Sequence, residues 1–329
     1  MFAAGIDVSS TKLDVALVGG EEPWRGSFEN SVAGRKALVK ALRKRAKKAQ
    51  LRCAVEPTGS YHVGCLTELH KAKIPVMLVN PRWSSHMAAA IGQRGKTDAA
   101  DALMLARYAA HDSFKAWQPP QEGEARLREL VRRRAQHVQA RTKDKNRIKE
   151  LMATGLGGSV IEDLEETIKF LDERIALLEA AIKALVASDS ELKAKVALLK
   201  SQPGIGDTIA AIVVAELAYM PKDLTSKQLV AMVGLDPVPK QSGKMKGRMS
   251  ISKRGNKHLR TAMFLAAWGA TKSSPHARAW REALLERGKA KKVATTALAR
   301  RLLVATATIL RTKTPWDGER FHPLSGKTP

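Results

Sequence analysis

Four carboxylates in the first third of the chain stand where an acidic side chain is costly unless something uses it. Asp7 follows the apolar run FAAGI, and Glu56 ends the apolar segment RCAVE. Asp98 and Asp101 lie three residues apart in KTDAADALMLA, at the start of a predicted helix, so both project from one helix face. Brought together, the four side chains would repel one another and need divalent cations, and their oxygen atoms suit Mg²⁺ or Mn²⁺. Paired cations of this kind can activate the attacking oxygen and stabilise the leaving one in phosphoryl transfer.

Two of these residues also have a plainer interpretation. Asp98 taken alone could cap the predicted helix, and Asp101 could offset the helix dipole in its first turn. Asp7 and Glu56 are harder to explain in this way, because capping carboxylates at strand ends are uncommon. Asp14 lies in the middle of the predicted strand LDVALV, and we expect its side chain to point outward.

A second candidate for chemistry is Ser242, in the basic segment KQSGKMKGRMSISKRG. A serine hydroxyl is a weak nucleophile until a base or a metal lowers its proton affinity, and a phosphodiester must be neutralised before it is attacked. The basic side chains supply the second requirement, although a Ser-Gly pair is also ordinary loop chemistry. The residues expected to contact nucleic acid here are Lys240, Lys244, Lys246, Arg248, Lys253, Arg254, Lys257 and Arg260.

The overall charge agrees with a polyanionic partner. The 329 residues carry a formal net charge of +25, which repels itself unless an acidic partner such as nucleic acid neutralises it. The only cysteines, Cys53 and Cys65, cannot form a disulfide framework or a four-cysteine zinc site, and we expect two reduced, inert thiols. Neither a signal-peptide layout nor an apolar run of membrane-spanning length is apparent, so we predict a cytoplasmic protein.

The elements that would position these residues change in kind along the chain. The first third alternates strand-like and helix-like segments, and GIDVSSTKLDVALV predicts an antiparallel hairpin followed by crossover helices. RNase H-like domains and actin-like kinases share this layout. We predict an α/β domain over residues 1–118, a helical coiled-coil region over 119–190 and a mostly α domain over 191–329.

The middle region carries a heptad seam. Apolar residues alternate at spacings of three and four, which is typical of a two-stranded coiled coil. The seam consists of Ile161, Leu164, Ile168, Leu171, Ile175, Leu178, Ile182 and Leu185. Its partner is either the preceding helix, in which Arg134, Arg141 and Lys145 interrupt the apolar stripe, or the same helix of another subunit. We favour the second and expect an oligomer, a dimer that assembles to a tetramer.

Two further features have two interpretations each, and a third has one. The turn from Gln202 to Asp207 has the form of a helix-hairpin-helix motif, which could bring backbone amides to phosphate or could be a tight turn. Trp268, Trp280 and Trp316 could stack on bases, but the helical spacing of the first two favours the core. The residues from Thr314 onward are rich in Pro, Gly and Lys, and we expect them along the surface.

Taken in order, the motifs resemble the IS110 family of bacterial insertion-sequence transposases, the DEDD enzymes related to Piv-like site-specific invertases. The matching segments are GIDVSSTKLDV, VEPTGSYH, VNPRWSSHMA with KTDAADALMLA, the PGIG turn, and GLDPVPKQSGKMKGRMSISKRGNKHLR. The resemblance covers nearly the whole chain. It places the four family carboxylates on Asp7, Glu56, Asp98 and Asp101, and the family serine on Ser242, since neither Ser250 nor Ser252 is followed by Gly.

The resemblance implies a RuvC-like N-terminal domain and a C-terminal transposase domain that together recombine DNA through a covalent phosphoserine intermediate. It further implies a composite site built from different subunits, and a structured bridge RNA that pairs with target and donor DNA. Three alternatives stay open at this point: a RuvC-like metal-dependent nuclease that hydrolyses branched DNA, an actin-like kinase, and a non-enzymatic architectural protein that binds nucleic acid.

Overall fold

The structure, a computed structural model, describes residues 1–47, 49–57, 61–79, 98–111, 114–239 and 249–324, with only the backbone of 98 and 99. The chain divides into two compact units, Met1–Pro119 and Pro120–Pro329. The second unit contains both the predicted helical region, 119–190, and the predicted C-terminal domain, 191–329. Each unit has its own hydrophobic core.

The first unit is built on a mixed five-stranded sheet. Its strands are β1 (Phe2–Val8), β2 (Lys12–Val18), β3 (Trp24–Glu29), β4 (Leu51–Val55) and β5 (Val76–Leu78). They lie in the order β3-β2-β1-β4-β5. The first three pair antiparallel, whereas β4 runs parallel to both β1 and β5. The predicted opening hairpin, followed by crossover helices, is therefore confirmed.

Helices cover both faces of this sheet. Helices α1 (Val32–Ala46) and α2 (His62–Lys71) bury their apolar sides with Ile6, Leu13 and Val55 of the sheet. Helix α3 (Asp98–Ala109) packs on the opposite face, where Ala3, Ala54 and Ala16 meet it. Because side chains alternate between the two faces of a strand, the odd-numbered residues of β1, including residue 7, lie on the α3 side.

Strand β3 is absent from the sequence prediction. Its six residues, WRGSFE, contain four polar or glycine positions and alternate between exposed and half-buried. The sequence signal is weak because an edge strand buries only one face, here through Trp24 and Phe28. The Arg45 guanidinium of α1 lies 3.8 Å from the centre of the Trp24 ring and covers it.

The second unit is almost entirely helical. Its helices are α4 (Glu122–Thr154), α5 (Ser159–Ser188), α6 (Ser190–Lys200), α7 (Asp207–Leu217), α8 (Ser226–Val233), α9 (Lys257–Ser273), α10 (Pro275–Glu286), α11 (Lys291–Thr312) and α12 (Gly318–Phe321). One short hairpin interrupts them, formed by β6 (Pro237–Val238) and β7 (Ser250–Ile251). Helices α7, α9 and α11 supply most of the core through Ala, Val and Leu side chains.

The heptad seam of α5 has its partner within the chain. Helices α4 and α5 pack along their length, and the seam residues Leu171, Ile175 and Ile182 are buried. The arginines that interrupt the apolar stripe of α4 pair with acids of α5: Arg134 lies 2.6 Å from Glu179, and Arg141 bonds Asp172. The partner of the seam is thus the preceding helix, and the favoured interpretation, the same helix of another subunit, is wrong. The oligomer itself stays a prediction.

The turn from Gln202 to Asp207 is packed tightly against α9. Gly204 has φ +79°, and a methyl group on it would come 2.0 Å from the carbonyl oxygen of Ala266. Gln202 is buried, donates to the Leu302 carbonyl and accepts from the Thr306 hydroxyl. These contacts support the tight-turn interpretation.

The C-terminal residues also pack more closely than expected. Phe321 is buried, and its ring centre lies 4.6 Å from that of Trp316. The expectation that this segment lies along the surface is therefore wrong for Phe321, whereas Asp317, Glu319 and Arg320 are exposed as expected. The preceding helix, α11, is long and apolar enough by composition to cross a membrane, but it carries Arg300 and Arg301 and packs in the core of this unit.

Candidate active site

Asp7 and Glu56 lie at the same edge of the sheet. Strands β1 and β4 are parallel neighbours, and Ile6 is opposite Val55 in their register. Each carboxylate follows one of these paired residues, and both side chains are partly exposed. The register thus makes the two carboxylates neighbours at the carboxyl ends of parallel strands, where α/β proteins commonly bind ligands.

Helix α3, which carries Asp101, packs against β1 close to Asp7. Gly5 is the point of closest contact between β1 and α3, because a methyl group there would come 2.0 Å from the Ala102 carbonyl oxygen and 2.2 Å from the Ala106 nitrogen. Only glycine allows the helix to lie this close to the strand. The contact holds the first two turns of α3 over β1, two residues from Asp7. Asp98 begins this helix, as predicted, and its side chain lies outside the described residues.

Asp14 is placed differently from the sequence prediction. It lies directly opposite Asp7 in the β1–β2 register and shares a sheet face with Ala16, which packs against α3. Its side chain is 15% exposed, so the expectation that it points outward is wrong. The Lys12 ammonium lies 2.8 Å from its Oδ1. Like charges directly opposite each other on neighbouring strands are destabilising, and Lys12 offsets part of that repulsion.

The carboxylates fit a hard divalent cation by the chemistry of their donor atoms. Three of the four predicted ligands, Asp7, Glu56 and Asp101, offer only oxygen atoms, as Mg²⁺ and Mn²⁺ prefer, and so does Asp14 opposite Asp7. In the part of the chain that the structure describes, no three Asp, Glu, His or Cys side chains form a group able to hold a metal ion. The fourth predicted ligand, Asp98, is not among the side chains described there.

Ser242 belongs to a segment whose two ends are fixed by the β6–β7 hairpin. Val238 pairs with Ser250, and Pro237 pairs with Ile251. Below the hairpin, the Ser252 hydroxyl donates to Asp236, and the Ser252 nitrogen donates to the Asp236 carbonyl. The predicted site residues between the strands lie outside the described residues: Lys240, Ser242, Lys244, Lys246 and Arg248.

The chain that leaves the hairpin crosses the end of α8 at two glycines. Gly234 has φ +73° and Gly255 has φ +110°. A methyl group on Gly255 would come 1.9 Å from the Met232 carbonyl oxygen, and one on Gly234 would come 2.3 Å from the carbonyl oxygen of residue 254. The Asn256 nitrogen also donates to Met232 O. The base of the hairpin is therefore closely constrained.

A buried ionic cluster, absent from the sequence prediction, supports this crossing from below. Glu216 has no accessible surface. It accepts two bonds from the Arg132 guanidinium, at 2.7 and 3.0 Å, and one from Asn256 Nδ2 at 2.6 Å. Asn256 caps α9 by accepting from the His258 and Leu259 nitrogens. Glu216 thus ties α4 to the start of α9.

The electrostatics of Glu216 follow from its partners. Burial alone would raise the pKa of Glu216, but the hydrogen bonds and charge of Arg132, with help from Asn256 and Arg128, lower it below its ordinary value. Arg128 lies 3.4 Å from the carboxylate and stacks 3.6 Å from the centre of the Tyr219 ring. The available sequence signal was an acid, Glu216, that follows the apolar run IAAIVVA of this helix.

The predicted nucleic-acid contacts that lie among the described residues divide into two groups. Lys253, Arg254 and Lys257 are exposed beside the hairpin, as a nucleic-acid contact requires. Arg260 is partly buried and donates from Nη1 to the carbonyl oxygen of Val233, at the end of α8, over 2.8 Å. It therefore has a structural role that the sequence prediction did not include.

The two thiols lie in the core of the first unit. Cys53 is in β4 and Cys65 is in α2, and both are buried and free. Burial raises the pKa of Cys65 to about 12 and raises that of Cys53 still further, with a contribution from Cys65. Because the thiolate is the reactive form, the prediction of inert thiols is supported.

Comparisons with known proteins cover most of the chain. Residues 4–155 match the family model of the DEDD transposase of IS110, described as "Transposase". Residues 196–281 match the model described as "Transposase IS116/IS110/IS902 family". The chain is 27% identical to the pilin gene-inverting protein of Moraxella bovis over 97% of this chain and 98% of that one. It is 28% identical to an uncharacterised protein of insertion element IS110 from Streptomyces coelicolor, over 59% of this chain and 49% of that one.

Solved structures give a weaker likeness. RuvC of Thermus thermophilus in complex with a Holliday junction substrate is 19% identical, over 32% of this chain and 90% of that one, with a TM-score of 0.26. The family assignment rests on the two sequence models and on the full-length relative. The chain belongs to the IS110 family of transposases and is a DNA transposase or recombinase.

Proposed function

We propose that this transposase cleaves and rejoins DNA through a covalent bond to Ser242, with divalent metal held by Asp7, Glu56, Asp98 and Asp101. The observation that carries the proposal is the register of β1 and β4, which makes Asp7 and Glu56 neighbours. Helix α3 lies over the same sheet face through its contact with Gly5. The strand order, with an opening hairpin and parallel crossovers, supports a RuvC-like first unit.

The metal would supply charge neutralisation and activation of oxygen at the phosphate, and Mg²⁺ or Mn²⁺ suits the ligands. A carboxylate cluster of this charge also gains stability when a cation binds, because its members repel one another. Asp7→Asn should lower DNA cleavage at least about a hundredfold, since a lost metal ligand costs several kcal/mol of transition-state stabilisation.

The serine step conserves the phosphodiester bond energy. A bond forms from Ser242 Oγ to phosphorus as the bond from phosphorus to one deoxyribose oxygen breaks, and that oxygen takes up a proton. Attack by a strand-end hydroxyl on the phosphoserine then restores both the serine and a phosphodiester. Lys253, Arg254 and Lys257, exposed where the chain leaves the hairpin, supply positive charge for the phosphate.

The test is a protein–DNA adduct that survives denaturant. The wild-type protein, incubated with labelled donor DNA and Mg²⁺, should form it, and Ser242→Ala should not. Ser250→Ala is the matched control, because it removes a hydroxyl from the same hairpin and should leave the adduct unchanged. An adduct that persists in Ser242→Ala would refute the serine mechanism.

The second candidate is a metal-dependent nuclease that hydrolyses branched DNA with an activated water. Among the described residues, no three metal-ligating side chains form a group. This does not distinguish the nuclease from the serine recombinase, because both would use the same carboxylates. Cleavage in ¹⁸O-labelled water separates them. Hydrolysis leaves one labelled oxygen on each new phosphate end, whereas serine attack followed by rejoining leaves none in the product duplex.

A structured RNA guide is the partner that we propose for target choice. The net charge of +25 supports binding to nucleic-acid backbones, which leaves sequence recognition to base pairing. Sequencing RNA that co-purifies with the protein tests this directly: one discrete species that pairs with the insertion site is expected. We also propose that the protein assembles as a dimer or tetramer. Light scattering of the wild-type protein tests this: a mass two or four times that of one chain is expected, and the mass of a single chain would contradict it.

A further inference from the structure

Helix α9 presents an exposed apolar and basic face beside the hairpin. Trp268, expected in the core from its spacing, is 60% exposed, and Leu265 is 51% exposed. They lie three residues apart and therefore on one side of the helix. Lys257, Thr261 and Lys272 are exposed at matching helical spacing. We call these five residues the α9 stripe.

The stripe stands on a rigid support. The opposite side of α9 buries Ala262, Met263, Ala266 and Ala270, and it packs against α7, α10 and α11. Helix α9 is capped at its start by Asn256, which Glu216 holds in turn. A large aromatic side chain on such a support can contact a ligand with little loss of conformational entropy.

The charge around the stripe favours a polyanion. Helix α9 contains no acidic residue, and the Lys272 ammonium lies 4.8 Å from the centre of the Trp268 ring. Beyond the end of the helix, the Arg278 guanidinium donates to the carbonyls of Thr271 and Lys272 at 3.0 Å. A second copy of this chain would oppose the same basic face to itself, which like-charge repulsion disfavours.

We propose that the α9 stripe binds single-stranded nucleic acid, with an unpaired base stacked on Trp268 and phosphates at Lys257 and Lys272. Stacking on an aromatic ring accepts any base, and flanking cations track the backbone. Bases of an intact duplex are already stacked on one another, so an unpaired strand is the better fit. The inference rests on the handling of nucleic acid by this transposase, and it requires neither Ser242 nor the carboxylates.

The experiment measures binding of fluorescein-labelled oligonucleotides by anisotropy, with the full chain carrying Ser242→Ala to prevent cleavage. The probes are single-stranded DNA, its RNA equivalent and the DNA duplex. Trp268→Ala should weaken single-strand binding about 5- to 150-fold, whereas Trp268→Phe should change it less than about threefold. The matched control is Phe170→Ala, because Phe170 is 58% exposed but lies on the acidic helix α5.

Salt dependence separates stacking from charge. Trp268→Ala should leave the slope of log affinity against log salt unchanged, whereas Lys272→Ala should reduce it by about 0.7. A loss confined to RNA or to DNA supports the proposal and identifies the source of the unpaired strand. Unchanged single-strand binding by Trp268→Ala overturns it. So does an equal loss on the duplex, or a fall in the molecular mass of the particle, which would make the stripe a protein interface.

Because the background carries Ser242→Ala, failure of this test leaves the serine proposal untouched. Conversely, if the wild-type protein forms no covalent DNA adduct, the anisotropy measurements still test the α9 stripe. Trp268 is exposed, so its replacement should leave the thermal unfolding curve close to that of the parent protein.

Discussion

Replacement of Glu216 by Gln should destabilise the second unit strongly. The side chain has no accessible surface and accepts bonds from Arg132 and Asn256, with Arg128 3.4 Å away. Gln keeps the shape but removes the charge, which leaves two arginines without their buried counter-charge. Loss of one partner of a buried ion pair costs about 3–5 kcal/mol. The net free energy of unfolding of an ordinary domain is about 5–15 kcal/mol, so this loss is a large fraction of it.

Urea unfolding followed by circular dichroism measures the change, since this unit holds most of the helix. The matched control is Glu179→Gln, which breaks the 2.6 Å contact with Arg134 on the partly exposed α4–α5 surface. Such surface pairs contribute about 0–1 kcal/mol. If the free energies of unfolding of the two variants agree within about 1 kcal/mol, the buried cluster does not have the role assigned to it.

The folding stability of the same variant should depend on pH less than that of the wild type. The pKa of Glu216 is lowered on folding from an ordinary value of 4.5, so its contribution to stability is complete above that value. As pH falls through the lowered pKa, the carboxylate protonates and this stabilisation is lost. Wild type should therefore lose more stability than Glu216→Gln between neutral pH and acid. Parallel stability curves for the two proteins would contradict the assignment.

Three further outcomes follow from the first unit. Asp14→Asn should raise the melting temperature of the metal-free protein, because it removes a charge opposite another carboxylate. It should also reduce the extra stability given by Mg²⁺. A lower melting temperature without metal would contradict this. Gly5→Ala should destabilise the first unit by about 1–3 kcal/mol or more and reduce DNA cleavage. The control Gly20→Ala should do neither, because the nearest atoms to its added methyl group are 3.9 Å away. Equal unfolding free energies of the two variants would refute the close packing of α3. Cys53 and Cys65 should resist iodoacetamide in the native protein and react in urea, as mass spectrometry would show; rapid native labelling would exclude their burial.

Several elements of the first unit were predictable because their signals are local. The hairpin at residue 7 and the helix that begins at Asp98 follow from period, polarity and turn residues. Strand β3 was missed because an edge strand carries only half of the usual apolar pattern. Asp14 was misplaced because strand register, which sets it opposite Asp7, depends on a partner strand rather than on its own segment.

The rest of the site depends on contacts between distant parts of the chain. Glu216 and Arg132 are 84 residues apart, and no local pattern connects them. Trp268 has the spacing of a core residue. The side of α9 that faces the core carries mostly small alanines, however, and the large ring of Trp268 lies on the exposed side. The phosphodiester chemistry of Ser242 came from the resemblance to the family rather than from its surroundings.

The most direct test of the account is to locate the covalent DNA adduct by mass spectrometry. Wild-type protein is trapped on donor DNA, digested with nuclease and trypsin, and searched for peptides that retain a phosphonucleoside. The account predicts this mass on Ser242, and its loss in Asp7→Asn. A modification on Ser250 or Ser252, or DNA cleavage that proceeds with no modified peptide, would contradict it.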